Sequence, residues 1–381
     1  MAIRPQCSRV VLSYYQESDL GASPVASYGT SVPVSYIDKM FEPTEPVILE
    51  LNQTRIDDAE MIKGHEFPQE TELDIITAQD ISIPFSFPLS TSLAGILFAL
   101  AMGGYSVAAG EAGYYVHTMT ALDACTTDQL PSSSWILGLV GDTNSYFLVT
   151  GVCINELKVV LDSPGRLTVS GTAYTDGHLY ANPNYVWPTT LASDVFPLAS
   201  GGDFKVDDTS YKTIFRSFEF TLTNNLDMAD GRSNVINAGI YLDELRLGNR
   251  AYALTVKMDG HQGSLVWNWW MEEKIMELDV LVVYDANRKI TINFPKVKIA
   301  QCKQSFDGIR DVLDVTFKVF YDTTDATPIT IKVYNAVAEY LTLHAALDPG
   351  ISPSASVSFS NSPSLSPSAS ASPSLSASES V

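Results

Sequence analysis

Side chains that could carry out catalysis or bind a metal are scattered along this sequence and form no recognisable motif. The pair His65–Glu66 lacks the second histidine that a zinc-binding H-E-x-x-H helix requires. The four cysteines, Cys7, Cys125, Cys153 and Cys302, follow neither a C-x-x-C nor another zinc-binding spacing. The sequence also has no glycine-rich phosphate loop and no G-x-S-x-G nucleophile turn. We therefore expect a protein that is not an enzyme and that has no catalytic, cofactor or metal site.

Negative charge is the strongest chemical signal in the sequence. The 381 residues include 44 acidic and 23 basic side chains, for a formal net charge of −21. This excess opposes binding to nucleic acid through phosphate neutralisation. Within residues 42–80, 11 carboxylates accompany only two basic residues, Arg55 and Lys63. The acidic segment is either a solvated loop or an extended arm that faces a charged partner surface.

The elements that position these side chains are mostly strands. Apolar residues make up 45% of the chain, which is enough to form a core. No apolar run reaches the roughly 18 residues of a membrane span, so we expect no membrane contact. Alternating apolar residues in 157–161 and 167–173 flank the turn signal Asp162–Gly165, which predicts a hairpin. The same alternation occurs at 218–222 and 315–321.

Two helices interrupt the strand pattern. The first, Leu93–Met102, is apolar on all sides, with a serine at 90 or 92 to cap it and Gly103–Gly104 to end it. The second is expected at Val266–Glu277. Its apolar face leaves Trp269 next to Glu273 on a charged side. Trp269 is therefore either part of a protein interface or covered by a loop of the same subunit.

The order of elements indicates an internal duplication. Each copy has a strand, a long loop, a second strand, a helix, a strand, a D-x-N turn and a further hairpin. We expect a first half at 1–180, with an acidic long loop at 52–78, and a second half at 200–340. Residues 103–131 are an insertion in the first copy. Serine occupies every even position from 352 to 380, so residues 351–381 are predicted to be a disordered Ser/Pro-rich tail.

Several short segments follow one another in a characteristic order over most of residues 25–340. They include Tyr28–Thr30, Phe41–Pro43, Ile81–Phe87, Leu93–Leu100, Tyr114–Thr118, Phe147–Leu157, Phe218–Leu226, Ile290–Phe294, Val315–Tyr321 and Thr327–Ile329. In these segments and their order, the chain resembles the tail tube proteins, or major tail proteins, of long-tailed bacteriophages.

This resemblance implies a mainly β protein with two tandem β-sandwich or barrel folds, each flanked by one α-helix. Subunits of such proteins pair their sheets edge to edge into rings, and the rings stack into an acidic conduit for genome ejection. The duplication favours three subunits per ring with pseudo-sixfold symmetry, with a hexamer as the alternative. Tape-measure, tail-tip and tail-terminator proteins are the implied partners, and DNA passes through the lumen without specific binding. The protein would fold in the host cytoplasm and function in the virion tail.

The resemblance also assigns roles to particular residues. Trp269 and Glu273 are expected at an inter-subunit interface. The acidic segment becomes a ring-stacking loop, whose expected residues are Arg55, Asp57, Asp58, Glu60, Lys63, Glu66, Glu70, Glu72 and Asp74. A virion or cell-surface adhesin that binds a receptor is the alternative function, since a serine-rich tail also suits surface exposure.

Overall fold

The computed structural model describes most of the chain up to residue 338. The described residues are 10–16, 43–44, 47, 49–57, 74–111, 113–122, 130–139, 146–162, 165–175, 179–181, 196–228, 245–260, 263–307 and 310–338. They are mainly β, with 17 strands in one continuous sheet whose pairs are antiparallel, and two helices. All of them belong to one compact unit within Met1–His344. The expected tail, 351–381, lies outside the described residues.

The strands and helices form two successive sets. The first set is β1 (Val10–Gln16), β2 (Glu50–Asp57), β3 (Asp74–Pro88), α1 (Thr91–Met102), β4 (Gly103–Ala109), β5 (Tyr115–Ala121), β6 (Ser133–Leu139), β7 (Tyr146–Asp162), β8 (Leu167–Tyr174) and β9 (Leu179–Ala181). The second set is β10 (Leu198–Val206), β11 (Thr209–Ser210), β12 (Phe215–Thr223), β13 (Ala251–Asp259), α2 (Gly263–Met271), β14 (Ile275–Asp285), β15 (Arg288–Asp307), β16 (Arg310–Val319) and β17 (Thr330–Asn335).

The same pairing order occurs in both sets. In the first set the order is β1-β6-β7-β8-β3-β2. In the second it is β10-β14-β15-β16-β13-β12. The register slips at the same place in both, between Ile154 and Glu156 in β7 and between Ile299 and Gln301 in β15. The β4–β5 hairpin has no counterpart in the second set and falls within the insertion expected at 103–131.

The two sets share one apolar core. Strand β12 of the second set pairs with β7 of the first, so the sheet is continuous between them. Phe220 of β12 contacts Phe294 of β15 edge to face, with ring centroids 5.2 Å apart. Phe85 of β3 meets Trp135 of β6 at 5.7 Å in the same geometry. Aromatic pairs in this arrangement add stabilisation beyond the area that they bury.

Helix α1 follows the prediction closely. Ser90 caps its N-terminus, since the Ser90 hydroxyl accepts a hydrogen bond from the Leu93 N–H at 3.2 Å. Gly103 ends it with a φ of 84°, a conformation that glycine adopts without steric cost. All twelve residues of α1 are buried, as its uniformly apolar sequence requires.

The bounds predicted for α2 were wrong at its C-terminus. The helix ends at Met271, and the segment that was expected to complete it, 275–277, begins strand β14. Glu273 has a φ of 53°, and its N–H donates to the Trp270 carbonyl, so the chain leaves the helix there. The apolar residues after this turn alternate with polar ones in a strand, whereas the sequence interpretation placed them on a helical face.

The acidic loop is shorter than the expected 52–78. Strands β2 and β3 extend into it and pair as far as Asp57 opposite Asp74. Residues 52–57 and 74–78 are therefore strand. Residues 51–55 contain one apolar side chain, Leu51, and show no apolar alternation, so their sequence did not indicate a strand.

Candidate assembly site

One face of the sheet formed by β2-β3-β8-β7-β12-β13-β16-β15 is polar along its whole width. Its strands mostly alternate, so they contribute mainly polar side chains to this face and apolar side chains to the core, with exceptions at the register slips and at Pro84, Val160 and Val312. On β8, for example, Thr168, Ser170 and Thr172 point to the polar face, whereas Leu167 and Val169 are buried. Eight adjacent strands thus present one continuous hydrophilic surface.

Acidic and basic side chains are nearly balanced on this polar face. Seven carboxylates, those of Glu50, Asp80, Glu156, Asp162, Glu219, Asp259 and Asp314, accompany six basic groups, those of Lys158, Arg216, Lys257, Lys298, Lys303 and Lys318. Several of these groups are held by neighbours. Lys158 Nζ lies 2.8 Å from Glu219 Oε1, and Ser305 donates to Asp314 Oδ2 at 3.1 Å. The result is a charged, hydrogen-bonded surface with a small excess of carboxylates.

The junction between the two sets of strands is held by buried asparagines as well as by the β7–β12 ladder. Asn224 is fully buried, and its side-chain amide donates to the carbonyls of Ala101 and Ile154 at 2.9 and 2.8 Å. Asn155 accepts from the Leu226 N–H at 2.9 Å. The bond from Asn224 satisfies the Ala101 carbonyl at the C-terminal end of α1. Together, these contacts link α1 and β7 to the second set of strands. Alternation predicted a strand at 218–222, and Phe218–Leu226 was part of the family resemblance, but neither signal predicted the contacts of Asn224.

The eight-stranded part of the sheet, from β2 to β15, ends in two edges without a strand partner among the residues that the structure describes. One is the outer edge of β2, which pairs with β3 on its other side. The other is the edge of β15 at 301–307, which pairs with β16 on its other side. Exposed edges of this kind can accept a strand from another chain.

The structure describes only part of the expected ring-stacking loop. Arg55 and Asp57 lie on β2, where Arg55 pairs with Ile76, and Asp74 begins β3. The remaining members, Asp58, Glu60, Lys63, Glu66, Glu70 and Glu72, lie outside the described residues.

Trp269 does not lie on the exposed charged side that the sequence analysis predicted. It is only 6% exposed, and its ring contacts Tyr211 edge to face at 5.4 Å. The Lys274 ammonium lies over the same ring at 5.8 Å. Its neighbour Trp270 is 40% exposed and begins an exposed apolar group with Met271 and Ile275. Glu273 is exposed, and its carboxylate lies 2.9 Å from Lys298 Nζ.

We expect Trp269→Ala to destabilise the folded subunit itself. Removing a buried tryptophan leaves a cavity and costs about 3–5 kcal/mol. Trp270→Ala is the matched control, because it removes the same side chain from a half-exposed position of the same helix. Urea denaturation of the two variants measures the difference. Equal unfolding midpoints would contradict the core position of Trp269.

His117 has a structural role in this subunit. It lies on β5, is fully buried, and forms hydrogen bonds with the Tyr105 hydroxyl at 2.8 Å and the Val337 carbonyl at 2.9 Å. Burial lowers the pKa of its imidazole, against the raising effect of the Val337 hydrogen bond. A neutral ring fits both contacts, since Nε2–H donates to the carbonyl and Nδ1 accepts from the hydroxyl.

A second polar surface lies on the strands next to β15. Thr118, Glu277, Asp279 and Asn293 line a depression there, and the Asn293 amide donates to both carboxylates at 2.6 and 2.7 Å. Within the described ranges, no three His, Cys, Asp or Glu side chains group as metal ligands. No helix in the described part of the chain is long and apolar enough to cross a membrane.

Comparison with known protein families shows to which family the chain belongs. A profile described as phage tail tube protein matches residues 8–259, which is more than half of the chain. The chain belongs to the phage tail tube protein family. No curated protein matches it. The match begins just before β1 and ends with β13, so it includes the first set of strands and the β7–β12 junction.

Family membership confirms the resemblance inferred from the sequence. The chain is a structural protein, not an enzyme, and a component of the virion tail. Proteins of this family assemble with themselves and with other tail components into a tube. The polar face and the two free sheet edges are the described surfaces most suited to such an assembly.

Proposed function

We propose that this subunit closes into rings that stack into the tube of a long, siphovirus-like tail, and that the tube is the conduit for genome ejection. The observation that carries the proposal is the repeated pairing order, which gives each chain two similar β units joined edge to edge by β7 and β12. A sheet that repeats along its own edge and retains a free edge at each end can close into a ring, and closure removes the exposed edges.

The polar face of the eight strands is the surface proposed to line the lumen. It carries a small excess of carboxylates, in keeping with the net charge of −21. Such a surface offers the phosphates of DNA no net attraction, so the duplex slides through without specific binding. The apolar face of the same strands already packs into the subunit core and is not free to line a channel.

Three subunits per ring, each supplying two tube folds of β-sandwich type, give pseudo-sixfold symmetry. The first fold belongs to residues 1–180 and the second to 200–340. A ring of six chains with one fold each is the alternative. The β7–β12 junction supports three, because one of every two junctions around such a ring is already present within the chain.

Contacts between rings are proposed to involve the acidic segment that follows β2. Arg55 and Asp57 lie at the end of the β2–β3 ladder, opposite Ile76 and Asp74, and the segment between Asp57 and Asp74 joins these strands. Within the ring, the exposed group Trp270, Met271 and Ile275 replaces Trp269 as the proposed apolar contact, with Glu273 beside it. Tape-measure, tail-tip and tail-terminator proteins are the proposed partners, and folding in the host cytoplasm precedes assembly.

Electron microscopy of purified, concentrated protein tests this function. We expect rings or tubes whose end-on class averages have threefold symmetry with pseudo-sixfold features. Rings of six full-length chains would reject two folds per chain. A protein that remains monomeric, even with its tail-tip and tape-measure partners, would reject the tube. Glycan binding by such a monomer would favour the adhesin.

A further inference from the structure

The junction inside the chain indicates how two copies join. We propose that residues 301–303 of β15 in one copy pair antiparallel with Glu50–Asn52, the start of β2, in a second copy, in the register that places Cys302 opposite Leu51. This inference rests on the proposed function, because it concerns the contact that closes the ring. The partner is a second copy of this chain, and the contact is a β-sheet ladder.

The register follows from the equivalence of the two sets of strands. Ala173 of β8 pairs with Ile83 and Ile154, and Phe317 of β16 pairs with Leu254 and Ile299. The position of Ile83 therefore corresponds to that of Leu254, and that of Ile154 to that of Ile299. At the register slip, β7 and β15 each contain one extra residue, so the equivalence between the two strands continues beyond it.

Two further equivalences complete the derivation. Beyond the slips, Glu156 pairs with Thr172 and Gln301 with Thr316, so Leu157 corresponds to Cys302. Leu51 pairs with Ile81, and Leu222 with Tyr252, so Leu51 corresponds to Leu222. Within the chain, Leu157 is opposite Leu222 across the β7–β12 ladder. The same ladder between copies places Cys302 opposite Leu51.

Exposure of apolar side chains at the two free edges supports this pairing. Leu51 is 47% exposed and Phe306 is 74% exposed. Their counterparts at the junction inside the chain, Leu222 and Leu161, are fully buried. Equivalent positions are thus buried at the junction inside the chain and exposed at the free edges, where a second copy would supply the missing strand. A ladder between copies would cover Leu51, and its continuation in the same register would bring Phe306 opposite Val47.

Charge is complementary in the same register. Thr221 is opposite Lys158 in the β7–β12 ladder, and their counterparts are Glu50 and Lys303. Glu50 and Lys303 are both exposed in the single chain. In the proposed ladder they face each other directly on the polar face, where an opposite-charge cross-strand pair is stabilising. A shift by one residue would remove this pair and would place Leu51 opposite Gln301 or Lys303, so that the core faces of the two copies would no longer coincide.

The geometry of the contact favours a closed ring. Its two surfaces are different, β15 on one copy and β2 on the next, so the interface is heterologous and each copy uses both. The junction inside the chain repeats the same relation between β7 and β12. Successive halves are therefore related by similar rotations around the ring.

Cysteine cross-linking tests the register. In a Cys7→Ser, Cys125→Ser background, Leu51→Cys is added opposite the native Cys302. Burial, and then the charge of Asp314, raise the pKa of the Cys302 thiol, so the reaction is run at alkaline pH with a mild oxidant or a short bifunctional thiol reagent. We expect covalent dimers and closed trimers on denaturing gels of assembled protein. Dilute, unassembled protein should remain at 41.5 kDa.

Controls separate this register from others. Glu50→Cys in place of Leu51→Cys should cross-link far less, because its side chain points to the other face. Adding Cys302→Ser to Leu51→Cys should abolish the product. If Leu51→Cys prevents assembly, the pair Asn52→Cys with Gln301→Cys, in a Cys302→Ser background, tests the same register on the polar face.

The outcomes for the ring and for the register are distinct. Assembled rings without cross-linking at either pair, or with equal cross-linking of Glu50→Cys, would overturn the register and leave the proposed function standing. Failure of the wild-type protein to form any ring would overturn both.

Discussion

Replacing Gly171 with valine is expected to prevent the subunit from folding. Gly171 lies on β8 where β3, β8 and β7 come closest together. A Cβ atom at this position would lie 2.0 Å from the Glu156 carbonyl oxygen and 2.8 Å from Phe85 Cζ. The first contact is with backbone in a paired strand, which cannot move without breaking the ladder that includes the register slip of β7. We expect a loss of more than about 4 kcal/mol, a large part of the stability of a typical domain.

The matched control places the same side chain one residue earlier, on the other face of the strand. Ser170→Val points to the polar face, where the strand has no apolar core against it. Soluble yield and thermal denaturation of the two variants give the comparison. A Gly171→Val protein that unfolds within a few degrees of Ser170→Val would show that the three strands are not as closely packed as described.

Local sequence patterns were sufficient for much of the fold. Helix α1 was predictable from its uniform apolar character and from the serine and glycines at its ends. The β7–β8 hairpin was predictable because alternation and a turn signal coincide at Asp162–Gly165. Both features depend on residues close together in the chain, and in both the tertiary structure agrees with the local preference of the sequence.

Contacts between distant residues were less predictable, as Trp269 illustrates. The spacing of apolar residues was followed past Met271, although α2 is only nine residues long. The predicted apolar face therefore combined residues of α2 with residues of β14, and it left out Trp269, which is buried. The side chain that covers Trp269 is Tyr211, which precedes it by 58 residues and was not expected near the helix. Helical spacing alone cannot supply such a contact.

In the candidate assembly site, too, the local elements were predictable from the sequence and the contacts between distant strands were not. The order of elements in the two sets could be predicted from the sequence. The strand pairs place Leu51 at the position of Leu222 and Ile81 at that of Tyr252. The register of β7 against β12 could not be predicted, because cross-strand partners depend on which edges meet in three dimensions. That register is the observation from which the contact between copies follows.

The buried asparagine at the junction leads to the second large expected effect. Asn224→Asp keeps the size of the side chain and replaces its amide donor with a carboxylate. The carbonyl oxygens of Ala101 and Ile154, which the Asn224 amide now serves at 2.9 and 2.8 Å, would face a negative charge instead. Two buried acceptors would lose their donor and an unpaired charge would be buried, so we expect a cost of about 3–5 kcal/mol at neutral pH.

The effect of Asn224→Asp should depend on pH. Burial and the two carbonyls raise the pKa of the introduced carboxyl in the folded state above the roughly 3.9 of an unfolded aspartate. The penalty is fully present above the folded pKa and diminishes as the pH falls toward the unfolded value, because a protonated carboxyl can donate to one carbonyl. Urea denaturation at pH 7 and at about pH 4.5 should therefore show a narrowing gap between variant and wild type.

Asn225→Asp is the control for this experiment, because it makes the same chemical change at the next residue. Asn225 is exposed and has a φ of 50°, a backbone conformation that aspartate tolerates almost as well as asparagine. Its amide donates to the Asn249 carbonyl at an exposed position, where water can replace the bond, so we expect a much smaller cost than for Asn224→Asp at both pH values. If the two variants were equally stable, the Asn224 amide would not be what joins α1 and β7 to the second set of strands. The junction, and the copy-to-copy contact inferred from it, would then depend on the β7–β12 ladder and on the Asn155–Leu226 hydrogen bond.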